Sequence, residues 1–416
     1  MSELIIGGIS AESLAKTYGT PLYVYDEAKI DNRICEYTEN FKSELFETKV
    51  LYASKAFQCI ELLHKIEDAG LYLDVVSGGE IFTALEADFP ADKIYFHGNN
   101  KTPEEIEFAV SEGITHFVCD NLMELKGLEQ EALKQEKSIS VMLRLNLGIE
   151  AHTHEYIITS YVDSKFGMAL ESEEYLESIA TIESSRWLEL EGFHSHIGSQ
   201  IFEMDAWFAA IDKLVDLVAG FPQRLSLNIG GGFGIRYTKE DKPLSIPEVV
   251  AQLVHVTEAA LAKRAIQINA LMIEPGRSLI GEAGTTLYTI GYQKKTPNKH
   301  YVFVDGGMTD NIRPALYQAK YSCDAVTQLG KEKTNKVTIA GKMCESGDVV
   351  IEDTYLPEVA QGDILAVYST GAYGYSMSSN YNRATTPAVI FVKDGVAKEV
   401  IKRQTFKDLL RNDVRR

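Results

Sequence analysis

Eight short runs rich in β-branched and aromatic residues recur between about residue 48 and residue 280, with helically patterned stretches between them. They are VLYAS (50–54), LYLDVVS (71–77), KIYFHG (93–98), THFVCD (115–120), SVMLRLN (140–146), LEGFHSHIG (190–198), RLSLNIGG (224–231) and ALMIEPG (270–276). Parallel strands need long crossovers, and a crossover helix covers one face of the sheet. Eight such units predict an α/β chain built on a (β/α)8 TIM-type barrel. A doubly wound open sheet is the alternative. PEEIEFAVSEG (103–113) and NLMELKGLEQEALKQ (121–135) fit the intervening helices, with Asp120 placed to cap the second.

After Gly284 the texture changes. TTLYTIGYQ, YVFVDGG, VTIAGKM, ILAVYST and AVIFVKDGVAKEVI are strand-like with no long helix between them, and Asp394-Gly395 is a hairpin signal. A chain of 416 residues exceeds one ordinary domain. The expected division is a barrel over residues 27–280 and a β-rich, barrel- or sandwich-like domain from residues 1–26 and 281–416, with PLYVYD (21–26) completing it.

A net charge of −19 argues against nucleic acid and anionic membranes, which need a basic face. The five cysteines (Cys35, Cys59, Cys119, Cys323 and Cys344) form no CxxC pair, so neither a disulfide framework nor a zinc knuckle is suggested. MSELIIGGIS is not a signal peptide, and no apolar run approaches the roughly 20 residues of a membrane span. The default expectation is a reducing cytoplasm.

The chemically unusual residues fall at the C-terminal ends of the expected strands, the face where barrel enzymes place their chemistry. Lys55 ends the first, in KVLYASKAF. A lysine desolvated there is an amine nucleophile that condenses with carbonyls; alternatively its stem packs and its head reaches solvent. Asp74 and Ser77 end the second strand. His196, in HSHIGS, ends the sixth and could stack on a flat ring with Ser199 donating to a phosphate. His194 and His196, or His152 and His154, form HxH pairs, but no carboxylate or cysteine cluster beside them suggests a metal. Gly230 to Gly234 (GGGFG), including Gly231 and Gly232, suit either a phosphate cradle or a tight turn. Glu274 and Arg277, in EPGR with Gly276 between them, form a mutual ion pair or serve separately, Glu274 on a pyridine nitrogen and Arg277 on an anion. In the β-rich half, Cys344 in CESGD suggests an exposed turn, and Arg313 in IRPALY and Tyr373 in GAYGYSMSSNYN lie in loop-like segments.

Together and in this order, YASKAF, DVVSGGE, FHGNNK, AHTHEYI with SKFG, HSHIGSQ, GGGFG, EPGRS, RPALY, CESGD and GAYGYSMSSNYN resemble the fold-type III pyridoxal-phosphate decarboxylases over nearly the whole chain. The resemblance implies pyridoxal 5'-phosphate held by Lys55, with His196 stacked on its ring and Glu274 on its ring nitrogen. Ser199, Gly231, Gly232, Gly276, Arg277 and Tyr373 would surround ring and phosphate. Arg277, Arg313, Tyr317 and Tyr373 would bind substrate, Glu345 would take a distal amino group, and Cys344 would be the proton donor. It also implies a homodimer in which Cys344 and Glu345 serve the partner's site. Phe57 departs from the family, many members having asparagine there.

A zwitterionic far end needs both an anion and a cation partner. Arg313 with Glu345 supplies them, so the implied reaction is decarboxylation of meso-2,6-diaminopimelate to L-lysine and CO2, the last step of lysine biosynthesis. A racemase using the same cofactor would need a tyrosine base and no cysteine donor. A non-catalytic cofactor-binding protein would not need both Lys55 and Cys344. The 147–171 connection is a candidate lid.

Overall fold

Alternation along a barrel strand sends every second side chain inward. The computed structural model describes residues 3–149 and 164–414. It divides into two compact units, Ile34–Gly234 with Pro243–Ser278, and Met1–Arg33 with Ile235–Lys242 and Leu279–Arg416.

In the first unit the barrel strands are Glu47–Ala53, Tyr72–Val75, Ile94–Phe96, His116–Cys119, Ile139–Asn146, Leu188–His194, Ser226–Asn228 and Ala270–Ile273. Each pairs in parallel with its successor, and the eighth returns to the first with Ile273 opposite Val50. The sheet is therefore a closed barrel and not the open alternative.

Its interior is layered. Leu51, Tyr95, Val118, Met142, Ala270 and Met272 pack together as an apolar middle. Toward the N-terminal strand ends lies a polar cluster. Tyr95 donates to Glu191 Oε1 at 2.7 Å, and His116 Nδ1 lies 2.7 Å from Glu191 Oε2. The His116 ring stacks on Tyr95, and the Lys49 ammonium lies 5.0 Å from the centre of the Tyr72 ring. The opposite end carries the unusual residues of the sequence.

Local capping sets where each helix begins. Thr102 and Glu105 form a reciprocal capping box on Pro103–Ser111. Helix Leu122–Gln135 is capped by Asn121, whose Oδ1 accepts from Glu124 N at 2.9 Å, not by Asp120. Asp120, one residue earlier, instead accepts from Gly167 N at 3.1 Å. Either residue type can cap, so sequence alone does not separate neighbours.

The second unit is β-rich. Leu22–Asp26 lies between Gly284–Lys295, antiparallel, and Ala388–Lys393, parallel. Gly284–Lys295 is long enough to pair also with Ile364–Tyr368 and His300–Val304, joining two parts of the sheet. One core gathers Leu22, Val24, Leu287, Ile390 and Val392 beneath helix Ala11–Tyr18; another gathers Tyr288, Ile290, Val302, Ile339 and Val367. Asp394 and Gly395 turn Ala388–Lys393 into Val396–Ile401 with φ of 51° and 79°, the positive pair that a two-residue hairpin demands. No helix among the described residues is long and apolar enough to cross a membrane.

Burial alone would raise the Glu191 carboxyl, yet the His116 contact and the Tyr95 hydrogen bond hold it below its ordinary value. A depressed folded pKa contributes stability that is present above the unfolded pKa and lost as pH falls through the folded one. Glu191→Gln should lower stability at pH 7 by about 1–3 kcal/mol, read from the urea midpoint. The gap to wild type should narrow as pH falls below the ordinary glutamate value of about 4.3 and vanish once it passes the lower folded one, where wild type protonates as well.

Candidate active site at the barrel mouth

The last inward positions of the strands meet at the C-terminal mouth. Asp74 comes from the second strand, His97 directly follows the third, Arg144 lies on the fifth, His194 ends the sixth, Asn228 ends the seventh and Glu274 follows the eighth. Glu274 is the focus, at 7% exposure. Asn228 Nδ2 donates to its Oε1 at 2.7 Å, His194 Nε2 lies 3.1 Å from Oε2, and His97 Nε2 lies 3.1 Å from Oε1. Burial would push this carboxyl up, but His97 and His194 outweigh it and hold Glu274 well below its ordinary value. Asp74, also buried, is raised by desolvation. The two carboxyl groups are thus driven apart, a pattern that marks functional sites.

Glu274 and Arg277 do not pair with each other. Arg277 Nη2 donates to Ser199 Oγ at 3.0 Å, so the two ends of EPGR have separate duties.

Close glycine packing draws the loops after strands six, seven and eight together. A Cβ on Gly231 would stand 2.1 Å from the Glu274 carbonyl oxygen, and one on Gly232, at φ 97°, would stand 2.5 Å from the Gly198 carbonyl oxygen. Gly276 packs on Ala53 and Ala56, against the turn that carries Lys55. Gly231 N donates to His196 Nδ1 at 3.2 Å, which requires that nitrogen to be unprotonated. Desolvation, then the Lys55 ammonium and the Arg144 guanidinium, push His196 well below its ordinary value, so the half-buried ring is neutral. A neutral imidazole suits stacking on an aromatic ring.

Lys55 takes the second of the two settings open to it in the sequence. It lies two residues beyond the strand, in the 3-10 turn Ser54–Ala56, and its side chain is exposed. Its amine is therefore accessible at the rim, and its charge acts on Asp74, Glu80 and His196. Ser77 caps helix Gly78–Leu85.

In the other unit, Arg313 is buried on a short helix, Arg313–Tyr317, which also carries the half-buried Tyr317. The expected loop is helical because Pro314 sits in the first turn, where its missing N–H costs nothing. Arg313 Nη1 donates to Tyr321 Oη at 2.7 Å, and its guanidinium lies 4.9 Å from the centre of the Tyr237 ring. Cys344 and Glu345 are exposed on a turn fastened by buried Asp348, which accepts from Met308 N and Met343 N. Asn382 Oδ1 accepts from Cys344 N at 2.9 Å, and Tyr381 donates to Glu345 Oε1 at 2.5 Å. CESGD is thereby held by the end of GAYGYSMSSNYN, a connection not visible in either motif. Tyr373 is half-buried with φ 57°. His152 and His154, and most of the candidate lid, lie outside the described residues.

His97, His194 and Glu274 could in principle hold a metal, their ligand atoms all lying within 4.8 Å. A tetrahedral zinc site sets donors about 3.4 Å apart. Here the carboxylate is already taken by Asn228 and His194, so the set fits a charge clamp better. Among the described residues, Asp74 Oδ1, His97 Nε2 and His194 Nδ1 are buried without hydrogen-bond partners. Such orphaned polar atoms fit a mouth shaped to receive a polar ring.

Residues 28–281 match the family model described as "Pyridoxal-dependent decarboxylase, pyridoxal binding domain". A diaminopimelate decarboxylase of Bacillus subtilis (strain 168) is 48% identical, covering 99% of this chain and 95% of the relative. The chain belongs to the diaminopimelate decarboxylase family. A solved diaminopimelate decarboxylase from M. jannaschii aligns with a TM-score of 0.93 at 32% identity, covering 100% of this chain and 96% of that one. Another from Helicobacter pylori, complexed with L-lysine, aligns at 0.87 and 32% identity, covering 96% and 98%. The matched pyridoxal-binding domain spans the barrel strands, in which the buried charge collects at one end.

Gly231→Ala must displace the Glu274 backbone. It should cost about 1–3 kcal/mol as overpacking, read as a lowered urea midpoint.

Proposed function

We propose that this chain decarboxylates meso-2,6-diaminopimelate to L-lysine and CO2 with pyridoxal 5'-phosphate. The observation that carries the reading is a buried, ionised Glu274 at the same barrel mouth as the accessible amine of Lys55 and the neutral ring of His196. When bound, the cofactor supplies a sink for the electron pair left at Cα as CO2 departs.

The chain's own residues do the rest. Lys55 would hold the cofactor, Glu274 would keep its ring nitrogen protonated, and His196 would fix the ring plane. Ser199, Gly231, Gly232, Gly276 and Arg277 would hold the phosphate end, joined by Tyr373. Arg277, Arg313 and Tyr317 would grip substrate carboxylates and set the scissile bond across the ring. Glu345 would receive the distal ammonium, and Cys344 would hold the proton for Cα.

The L-lysine in the Helicobacter pylori relative supports the product. The exposed turn carrying Cys344 and Glu345 supports a homodimer in which each protomer lends these residues to its partner's barrel. The 46.3 kDa protomer would work in the cytoplasm on a small amino acid, with no nucleic acid or membrane as partner.

Offered meso-diaminopimelate, ornithine, arginine and lysine separately with added pyridoxal phosphate, the protein should release CO2 only from the first and form lysine. Turnover of ornithine instead would overturn the substrate assignment. Cys344→Ala should retain cofactor and lose at least about 100-fold in turnover. Lys55→Ala should also be inactive. Mixed dimers of the two variants should recover about a quarter of wild-type activity, since half would be hybrids with one intact site. No recovery from verified hybrids would refute the shared site.

A further inference from the structure

The mouth contains an arrangement that the roles above do not use. His97 stands between two buried carboxyl groups, with Nε2 3.1 Å from Glu274 Oε1 and 3.9 Å from Asp74 Oδ1. It is 4% exposed, Asp74 is 2% exposed, and neither His97 Nε2 nor Asp74 Oδ1 has a partner in hydrogen-bond geometry.

The backbone around His97 is fixed tightly. His97 N donates to Val75 O at 2.7 Å, tying it to the second strand. The loop beyond is locked by Lys101, whose buried ammonium donates to Gly98 O at 3.0 Å, Val118 O at 2.8 Å and Glu124 Oε1 at 2.6 Å. The ring meets His194 edge to face at 5.1 Å, limiting its travel on that side. The backbone is thus anchored from three directions while the ring nitrogen keeps two carboxyl groups in reach.

We infer that His97 is a positioning residue for the reaction: it holds the Glu274 carboxylate in orientation and in its ionised form, with Asp74 as the second carboxyl on the same imidazole. The inference rests on the function proposed above and adds a residue to it. His194 is pushed down to about 4 by burial and enters as a neutral donor, and the Asn228 amide is also neutral. His97 is the remaining side chain in close contact with Glu274, and Arg144 and Lys55 are charges acting on this group of residues. Removing one side of a close, buried polar contact to a charged group costs roughly 10- to 100-fold.

The test uses full-length protein loaded with pyridoxal phosphate, as wild type, His97→Gln, His97→Leu and His97→Asn. For each, the absorption spectrum of the bound cofactor is followed from pH 6 to 9, cofactor affinity is measured, and kcat and KM are determined. Glutamine keeps an N–H donor with similar reach, asparagine is too short, and leucine has none. The expected result is kcat within about threefold of wild type for glutamine, and a loss of about 10- to 100-fold for leucine and asparagine with KM nearly unchanged. The pH transition of the cofactor spectrum should move in leucine and asparagine. Wild-type spectra and kcat in leucine would overturn the inference, as would equal losses in glutamine and asparagine, which would mark a packing role. Should leucine fail to fold, the glutamine–asparagine contrast decides alone. Failure of wild type to bind cofactor or release CO2 would refute the proposed function instead.

Discussion

Everything at the barrel mouth depends on keeping one carboxylate charged out of water. Burying an ion is costly unless partners replace its hydration. Glu274 receives Asn228 and His194 in hydrogen bonds and His97 at ion-pair distance. These donors come from strands or loops far apart in sequence, so only barrel closure assembles them. The charged groups thus collect at the C-terminal mouth, while the apolar layer around Leu51, Met142 and Met272 beneath supplies the scaffold. Glycines 231 and 232 serve the same end by letting the loops approach closely enough for the ligating side chains to converge.

Much of this was legible in the sequence. Strand identity came through because short apolar runs such as VLYA or VMLRLN are local signals, and the Asp394-Gly395 hairpin is specified by two residues. Glu274, Arg277 and the glycine run were legible because strand-end position itself carries meaning in this architecture. The convergence of His97, Asp74, Arg144 and Asn228 at the mouth was not, because each is a lone polar residue whose partners are set by closure. Whether Lys55 is desolvated or reaches solvent stayed open, because strand propensity says nothing about where a strand stops; the chain turns at Ser54 and leaves the lysine exposed. Asp120 and Asn121 are both good caps, and only the structure separates them.

The second unit shows how exposed chemistry is held without a core around it. Cys344 and Glu345 sit on a turn whose geometry comes from Asp348 beneath and from Tyr381 and Asn382 beside it. Arg313 is oriented differently, by burial against Tyr237 and a hydrogen bond to Tyr321. In the role proposed for them, such rigid anchoring would lower the ordering cost of meeting a small zwitterion.

Ionised Glu274 would hold a proton on the ring nitrogen of the bound cofactor. The most direct measurement is the 15N chemical shift of the ring nitrogen in holoprotein loaded with labelled pyridoxal phosphate. A protonated ring nitrogen throughout neutral pH is the predicted result. An unprotonated nitrogen at pH 7 would contradict the account, because the buried carboxylate would then have no task to justify its cost.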